Sequence, residues 1–256
     1  MEQKKSLGQH WLTDEKILQE IVDLLEISSG DNVVEIGPGK GAVTKYLLQS
    51  EAAVTAVEFD DDLAAKLSDL PGLKVVNQDF LEFNLESQPG GYKVVGNIPY
   101  YITGKIVQKC LNARNKPSIV VLLVQKEVAE RMAAQPGELS ILGVLSQYYA
   151  EVSLGPVATA DKFDPPPKVD SQVVILRPYN ITGTVPAEKA FIQVVKAGFS
   201  ARRKKLHTAM AGGLNTSVEN AKKLLLSAQI DSNLRAQELS IADWKQLAEA
   251  KNRMQM

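Results

Sequence analysis

The sequence predicts an α/β protein, a mostly parallel, doubly wound sheet followed by a small all-helical C-terminal part. Three observations carry this. Short β-branched or apolar runs alternate with helix-patterned segments through the first two thirds of the chain, as expected when parallel strands are joined by crossover helices. A glycine-rich turn follows the first of these runs and opens a helix. After Pro178 the strand-like runs cease, and residues 186–252 carry helical patterns only.

Taken in order, residues 14–25 place Ile17, Leu18, Ile21, Val22, Leu24 and Leu25 at helical spacing, with Thr13 as the expected N-cap. Strands are predicted at residues 33–36, 54–59, 73–76, 93–95 and 119–124. Residues 152–158 and 172–176 have no helix between them. The proline-rich Phe163-Asp164-Pro165-Pro166-Pro167-Lys168 connects them, so an antiparallel pair at the sheet edge is expected. Further on, capping boxes are predicted at Thr216-Ser217-Val218-Glu219 and Ser240-Ile241-Ala242-Asp243. The domain boundary is expected within residues 177–183, giving a catalytic domain of residues 1–178 and a helical domain of residues 179–256.

The 256 residues suffice for one large and one small domain. No run approaches the roughly 20 apolar residues of a membrane span. Met1-Glu2-Gln3-Lys4-Lys5-Ser6 lacks an apolar stretch, so no secretory signal is expected. Cys110 is the only cysteine, which excludes an internal disulfide and a cysteine-based metal cluster. It sits in a helical pattern, where a buried small hydrophobe is its expected role. The cell interior is the expected compartment.

The net charge of −1 conceals an asymmetry: residues 1–175 carry −8 and residues 176–256 carry +7. A basic C-terminal third on an acidic body points to a polyanion partner. Arg202-Arg203-Lys204-Lys205 sharpens this, because four consecutive cations repel one another unless something anionic lies nearby.

Two constellations carry chemistry. In the first, Glu35-Ile36-Gly37-Pro38-Gly39-Lys40-Gly41 follows the first strand of the alternating series. Its glycines let a ligand approach the backbone, and the helix behind it offers unpaired N–H groups. Glu58 ends the next strand, where a carboxylate can accept from ribose hydroxyls. Asp79 ends the third and suits an adenine amine. A nicotinamide fingerprint would have Gly-x-Gly-x-x-Gly, but the spacing here is Gly-x-Gly-x-Gly. Glycine, Glu and Asp at three successive strand ends favour S-adenosylmethionine as cofactor; no metal is expected.

The second constellation is Gly96-Asn97-Ile98-Pro99-Tyr100-Tyr101, after the strand Lys93-Val94-Val95. A carboxamide, a stiff proline and two aromatics suit a flat ring bearing an amine. The same residues also suit an ordinary strand-to-helix turn, and the hexapeptide alone does not decide.

With Asn97-Ile98-Pro99-Tyr100 at the end of the fourth strand, the set resembles the adenine-N6 methyltransferases. Further motifs narrow this to the ribosomal RNA adenine dimethyltransferase family, the kasugamycin-sensitivity enzymes. They are Lys5-Ser6-Leu7-Gly8-Gln9-His10-Trp11-Leu12, Gln125-Lys126-Glu127-Val128-Ala129-Glu130-Arg131, Phe163 through Ser171, and Phe199-Ser200-Ala201-Arg202-Arg203-Lys204-Lys205-Leu206. They stand in family order over essentially the whole chain.

The resemblance implies a class I, Rossmann-like S-adenosylmethionine-dependent methyltransferase with a helical RNA-binding domain. It further implies an N-terminal segment covering the cofactor, and a cytoplasmic monomer as the working form. The implied substrate is a pair of adjacent adenosines near the 3′ end of 16S rRNA in the small ribosomal subunit. By motif, His10, Leu12, Gly37, Gly39, Glu58, Asp79 and Asn97 bind the cofactor. Asn97 and Pro99 align the target amine, while Tyr100 and Phe163 contact the two faces of its base. Arg202, Arg203, Lys204 and Lys205 contact RNA phosphates. Neither His10 nor His207 lies in the Asn-Ile-Pro-Tyr motif, so no side-chain base is expected. His10, Trp11, Tyr101 and Pro136 depart from the family's commonest residues. The alternatives are a large-subunit rRNA methyltransferase of the antibiotic-resistance type, a ribosome-assembly factor whose methylation is secondary and, more distantly, a nicotinamide oxidoreductase.

Overall fold

The computed structural model describes residues 10–179, 185–201 and 203–254. The chain divides into two compact units, Met1–Glu130 with Ala150–Tyr179, and Arg131–Tyr149 with Asn180–Met256.

In chain order the first unit holds β1 (Trp11–Leu12), α1 (Glu15–Asp23), β2 (Asn32–Ile36), α2 (Thr44–Leu47), β3 (Ala53–Glu58), α3 (Asp61–Leu67), β4 (Leu73–Asn77), β5 (Lys93–Asn97), α4 (Thr103–Asn112) and β6 (Ile119–Gln125). Helices α5 (Lys126–Met132) and α6 (Ile141–Tyr149) follow. The chain then returns to the sheet with β7 (Ala150–Ala158), β8 (Phe163–Asp164) and β9 (Ser171–Pro178). Seven strands form one sheet in the order β4-β3-β2-β5-β6-β9-β7. From β4 to β6 all neighbours are parallel. β9 runs antiparallel to β6, and β7 antiparallel to β9. The edge pair expected from the proline-linked runs is therefore present.

The strand order reverses direction between β2 and β5, and a crevice opens there beyond the carboxyl ends of parallel strands. Gly96 allows β2 and β5 to approach closely at this point. A Cβ on it would sit 2.9 Å from the Ile36 carbonyl oxygen and 3.0 Å from Ile98 Cγ2. One face of the sheet buries Val33, Val95, Val121, Leu123 and Val173 against Ile17, Leu18 and Ile21 of α1. The N-cap of α1 is Asp14, which accepts from Ile17 N–H at 3.1 Å. Thr13 instead donates its N–H and its hydroxyl to the Lys162 carbonyl. Cys110 is fully buried in α4, and burial pushes its thiol up to about 12.

The second unit is helical, with α7 (Val185–Gly198), α8 (Leu206–Gly213), α9 (Val218–Ser227) and α10 (Ile241–Met254) besides α6. Trp244, Phe191, Leu206, Leu225 and Leu247 form its core. Leu139, Val144 and Leu145 join that core, and the Tyr148 ring stacks on Phe191. For this reason residues 131–149 group with the helical unit, although they precede the boundary expected at residue 178. The Ser240–Asp243 capping box forms reciprocally, with Asp243 N–H donating to Ser240 Oγ and Ser240 N–H to Asp243 Oδ2. The other cap falls one residue later than expected, with Ser217 accepting from Asn220 N–H while Glu219 pairs with Lys223. Among the described residues no helix is long and apolar enough to cross a membrane.

Candidate active site

The crevice at the β2/β5 reversal deepens into a cavity of about 370 Å³, within the size range of small-molecule sites. Its floor is built by strand ends. β2 ends in the turn Gly37-Pro38-Gly39, with φ of +58° at Gly37 and +59° at Gly39, a left-handed backbone that glycine adopts without strain. Gly39 is also constrained from outside, because a Cβ there would lie 3.0 Å from Trp11 Nε1. Lys40 Nζ sits 3.7 Å from the centre of the same indole.

Glu58, at the end of β3, is buried and ties two strand ends together. Its Oε2 accepts from Gly39 N–H at 3.0 Å, and its Oε1 from Asp60 N–H at 2.9 Å. Each oxygen keeps accepting capacity for a ligand. Asp79, beyond β4, receives Leu81 N–H on Oδ1 at 2.8 Å. A floor of backbone amides and carboxylates with apolar walls from Ile36, Val57 and Phe80 fits a ligand that combines an adenine, a ribose diol and a charged amino-acid tail.

β5 supplies the opposite side. Asn97 Nδ2 donates to the His10 carbonyl at 3.0 Å, which fixes the carboxamide at the cavity that Asn97 lines. Beyond Pro99, Tyr100 opens a short 3-10 turn, and its phenol is fixed by Ser171 Oγ at 2.8 Å. Burial pushes that phenol up from its ordinary value.

The N-terminal stretch reaches this site by pairing with the proline loop. β1 and β8 form an antiparallel ribbon, Trp11 opposite Asp164 and Leu12 opposite Phe163. His10 Nδ1 lies 2.8 Å from the Pro165 carbonyl, so Nδ1 carries the proton. The imidazole lies 6.3 Å from the Tyr100 ring at 18° between planes. Though distant from the Asn-Ile-Pro-Tyr motif in sequence, His10 is its neighbour in space.

The structure thus brings His10, Leu12, Gly37, Gly39 and Glu58 to one cavity with Asp79, Asn97, Pro99 and Tyr100. Phe163 is the exception. At 3% exposure it packs in the sheet core with Leu12 and Leu18 rather than lining the cavity, because the β1/β8 pairing turns its side chain inward. The expected contact of Phe163 with one face of a target base therefore stays a proposal, tested by substitution below. Arg203, Lys204 and Lys205 are exposed ahead of α8, and Lys205 Nζ donates to Asn233 Oδ1 at 2.9 Å. Arg202 lies outside the described residues.

Three cavity residues had no role of their own in the sequence reading: Glu35 and Tyr101 stood inside the two constellations, and Phe59 ended a predicted strand. Glu35, at the end of β2, is buried and accepts the Thr44 hydroxyl at 2.7 Å. Burial raises its carboxyl to about 7, the Thr44 bond opposes this, and the negative Glu58 adds to the rise. Phe59 and Tyr101 line the cavity while remaining 60% and 69% exposed. For both aromatics the available signal was an aromatic directly after a polar strand end or motif.

The family described as ribosomal RNA adenine dimethylase matches residues 1–253. The chain belongs to the ribosomal RNA adenine dimethylase family. It is an S-adenosylmethionine-dependent rRNA adenine dimethyltransferase with a class I methyltransferase sheet. A protein named ribosomal RNA small subunit methyltransferase A from Dehalococcoides mccartyi is 36% identical over 252 residues, covering 95% of this chain and 87% of that protein. One of the same name from Thermosynechococcus vestitus is 38% identical over 262 residues, covering 98% of each. The crystal structure of a dimethyladenosine transferase from Plasmodium falciparum has the same fold, with a TM-score of 0.80 at 24% identity over 96% of this chain and 99% of that one. The 23S rRNA methyltransferase ErmE gives 0.73 at 27% identity, over 94% and 99%.

Proposed function

We propose that this dimethyltransferase modifies N6 of two adjacent adenosines near the 3′ end of 16S rRNA, acting as a cytoplasmic monomer on the small ribosomal subunit during its biogenesis. The carrying observation is the likeness, at 36–38% identity over almost the whole chain, to relatives named for the small subunit. The large-subunit alternative has weaker support, since ErmE shares 27%.

In this reading His10, Leu12, Gly37, Gly39, Glu58 and Asp79 hold the cofactor, and Asn97 stands between it and the acceptor. S-Adenosylmethionine supplies an electrophilic methyl group on a cationic sulfur. Glu58 accepts from the ribose hydroxyls and Asp79 from the adenine amine of the donor. The glycine turn admits the ligand to its backbone.

The target N6 amine is a poor nucleophile because its lone pair is delocalised into the ring. Asn97 has its Nδ2 committed to His10, and so presents Oδ1 to that amine. A backbone carbonyl at Ile98-Pro99 is the second acceptor; the Pro99 oxygen already receives Ile102 N–H at 3.2 Å and keeps one lone pair. Two acceptors favour a tetrahedral nitrogen and stabilise the positive charge that grows on it. Tyr100, anchored through Ser171, stacks on the extruded base. The methylated nitrogen then loses its proton to water without a side-chain base. Arg202, Arg203, Lys204 and Lys205 contact phosphates of folded RNA.

Transfer of tritiated methyl groups to unmethylated small subunits, with the modified bases mapped, tests this. Dimethyladenosine at adjacent positions near the 3′ end is expected; small subunits left unlabelled, or labelled only elsewhere in their rRNA, overturn it.

A further inference from the structure

Two large aromatic rings are left facing water at the cavity, and they follow the ends of different strands. Phe59 follows Glu58 at the end of β3, and Tyr101 lies beyond the end of β5. β2 runs between those strands, so the two strand ends are two spacings apart, about 10 Å. Phe59 therefore belongs with Glu58, on the donor side, and Tyr101 with Asn97, on the acceptor side.

Tyr101 differs from its neighbour Tyr100. The Tyr100 ring is half-buried, beside His10 and bonded to Ser171. Tyr101 has no hydrogen bond or ring contact among the described residues and is 69% exposed. Lys105, in the first turn of α4, is exposed and lines the same cavity. It forms no ion pair among the described residues. An unoccupied ring and an unpaired cation at the acceptor mouth match the two chemical parts of a nucleotide beside the target. A base extruded into a pocket draws its unstacked neighbours to the rim, and unstacked RNA bases are held by aromatic stacking.

We propose that Tyr101 stacks on the nucleobase adjoining the adenosine held at Asn97, and that Lys105 meets the phosphate joining those two nucleotides. The subsite rests on the reading of Asn97 as the acceptor site. It keeps the second adenosine of the pair at the rim while the first reacts.

The test measures KM and kcat on unmethylated small subunits, with S-adenosylhomocysteine binding measured separately. Tyr101→Ala raises KM for the subunit about tenfold, within the range of a lost base stack, and leaves S-adenosylhomocysteine affinity unchanged, which also certifies folding. Tyr101→Phe retains the ring and restores KM to near wild type. Lys105→Gln lowers the slope of log(kcat/KM) against log salt by about 0.7, one phosphate contact on a single strand. An unchanged KM in Tyr101→Ala beside an active wild type overturns the subsite alone. Equal loss in Tyr101→Ala and Tyr101→Phe, or loss of S-adenosylhomocysteine binding in either, also overturns it. A wild type that leaves small subunits unmethylated overturns the substrate reading, and the subsite with it.

Discussion

The carboxyl of Glu35 is enclosed at the end of β2, where it accepts the Thr44 hydroxyl at 2.7 Å with Glu58 nearby. Burial raises it from 4.5 to about 7, so the folded protein prefers its protonated form. A raised native value gives a contribution to stability that is full below pH ~4.5 and lost as pH rises through about 7. At ~1.36 kcal/mol per pH unit, that interval corresponds to about 3 kcal/mol. Glu35→Gln keeps the shape and an oxygen for the Thr44 hydroxyl but cannot ionise. The variant should match wild type near pH 5 and exceed its stability by about 2–3 kcal/mol at pH 8. Urea unfolding at a series of pH values between 4.5 and 8 measures both. Parallel pH profiles for the two proteins would refute the burial argument, because an exposed or well-compensated carboxylate would give no divergence.

Asn97→Ala should lower kcat by about two orders of magnitude, as removal of a transition-state hydrogen-bonding group does, with a smaller change in S-adenosylhomocysteine affinity; single-turnover methylation beside calorimetry separates the two. Replacing Arg203, Lys204 and Lys205 by glutamine should weaken RNA binding and flatten its salt dependence while cofactor binding stays intact, and filter binding across a salt series reads the slope. Phe163→Leu, a change inside the sheet core, should cost roughly 1 kcal/mol of stability and leave kcat near wild type; a large kcat loss in a stably folded variant would return the ring to the target base.

Much of the site was legible because it sits at the ends of strands. Val33-Val34, Val54 and Val57, and Val94-Val95 announce strands through β-branched residues, and the residue after each run falls at the carboxyl end. Gly37, Glu58, Asp79 and Asn97 were therefore placed before any tertiary contact was considered, and they do line one cavity. Less was legible near the start of the chain. β1 and β8 are two residues each and pair across about 150 positions, so neither has a period to read. Without that ribbon, His10 could not be set beside Tyr100 or Phe163 buried. The Asp14 and Ser217 caps show a smaller version of the same limit, since Thr13 and Thr216 have equally competent hydroxyls and backbone geometry chose between neighbours.

The sequence by itself determined the alternating strands and helices, the glycine turn and the acidic strand ends. It also determined the Asn-Ile-Pro-Tyr motif and the basic cluster, because propensity, periodicity and turn chemistry act over a few adjacent residues. Only the tertiary structure decided which side chains those elements bury and which they leave in water. Glu35 and Phe163 went inside, while Phe59 and Tyr101 stayed at the rim. Residues 131–149 joined the helical unit. Burial depends on which faces meet across long sequence separations, and no local pattern records that.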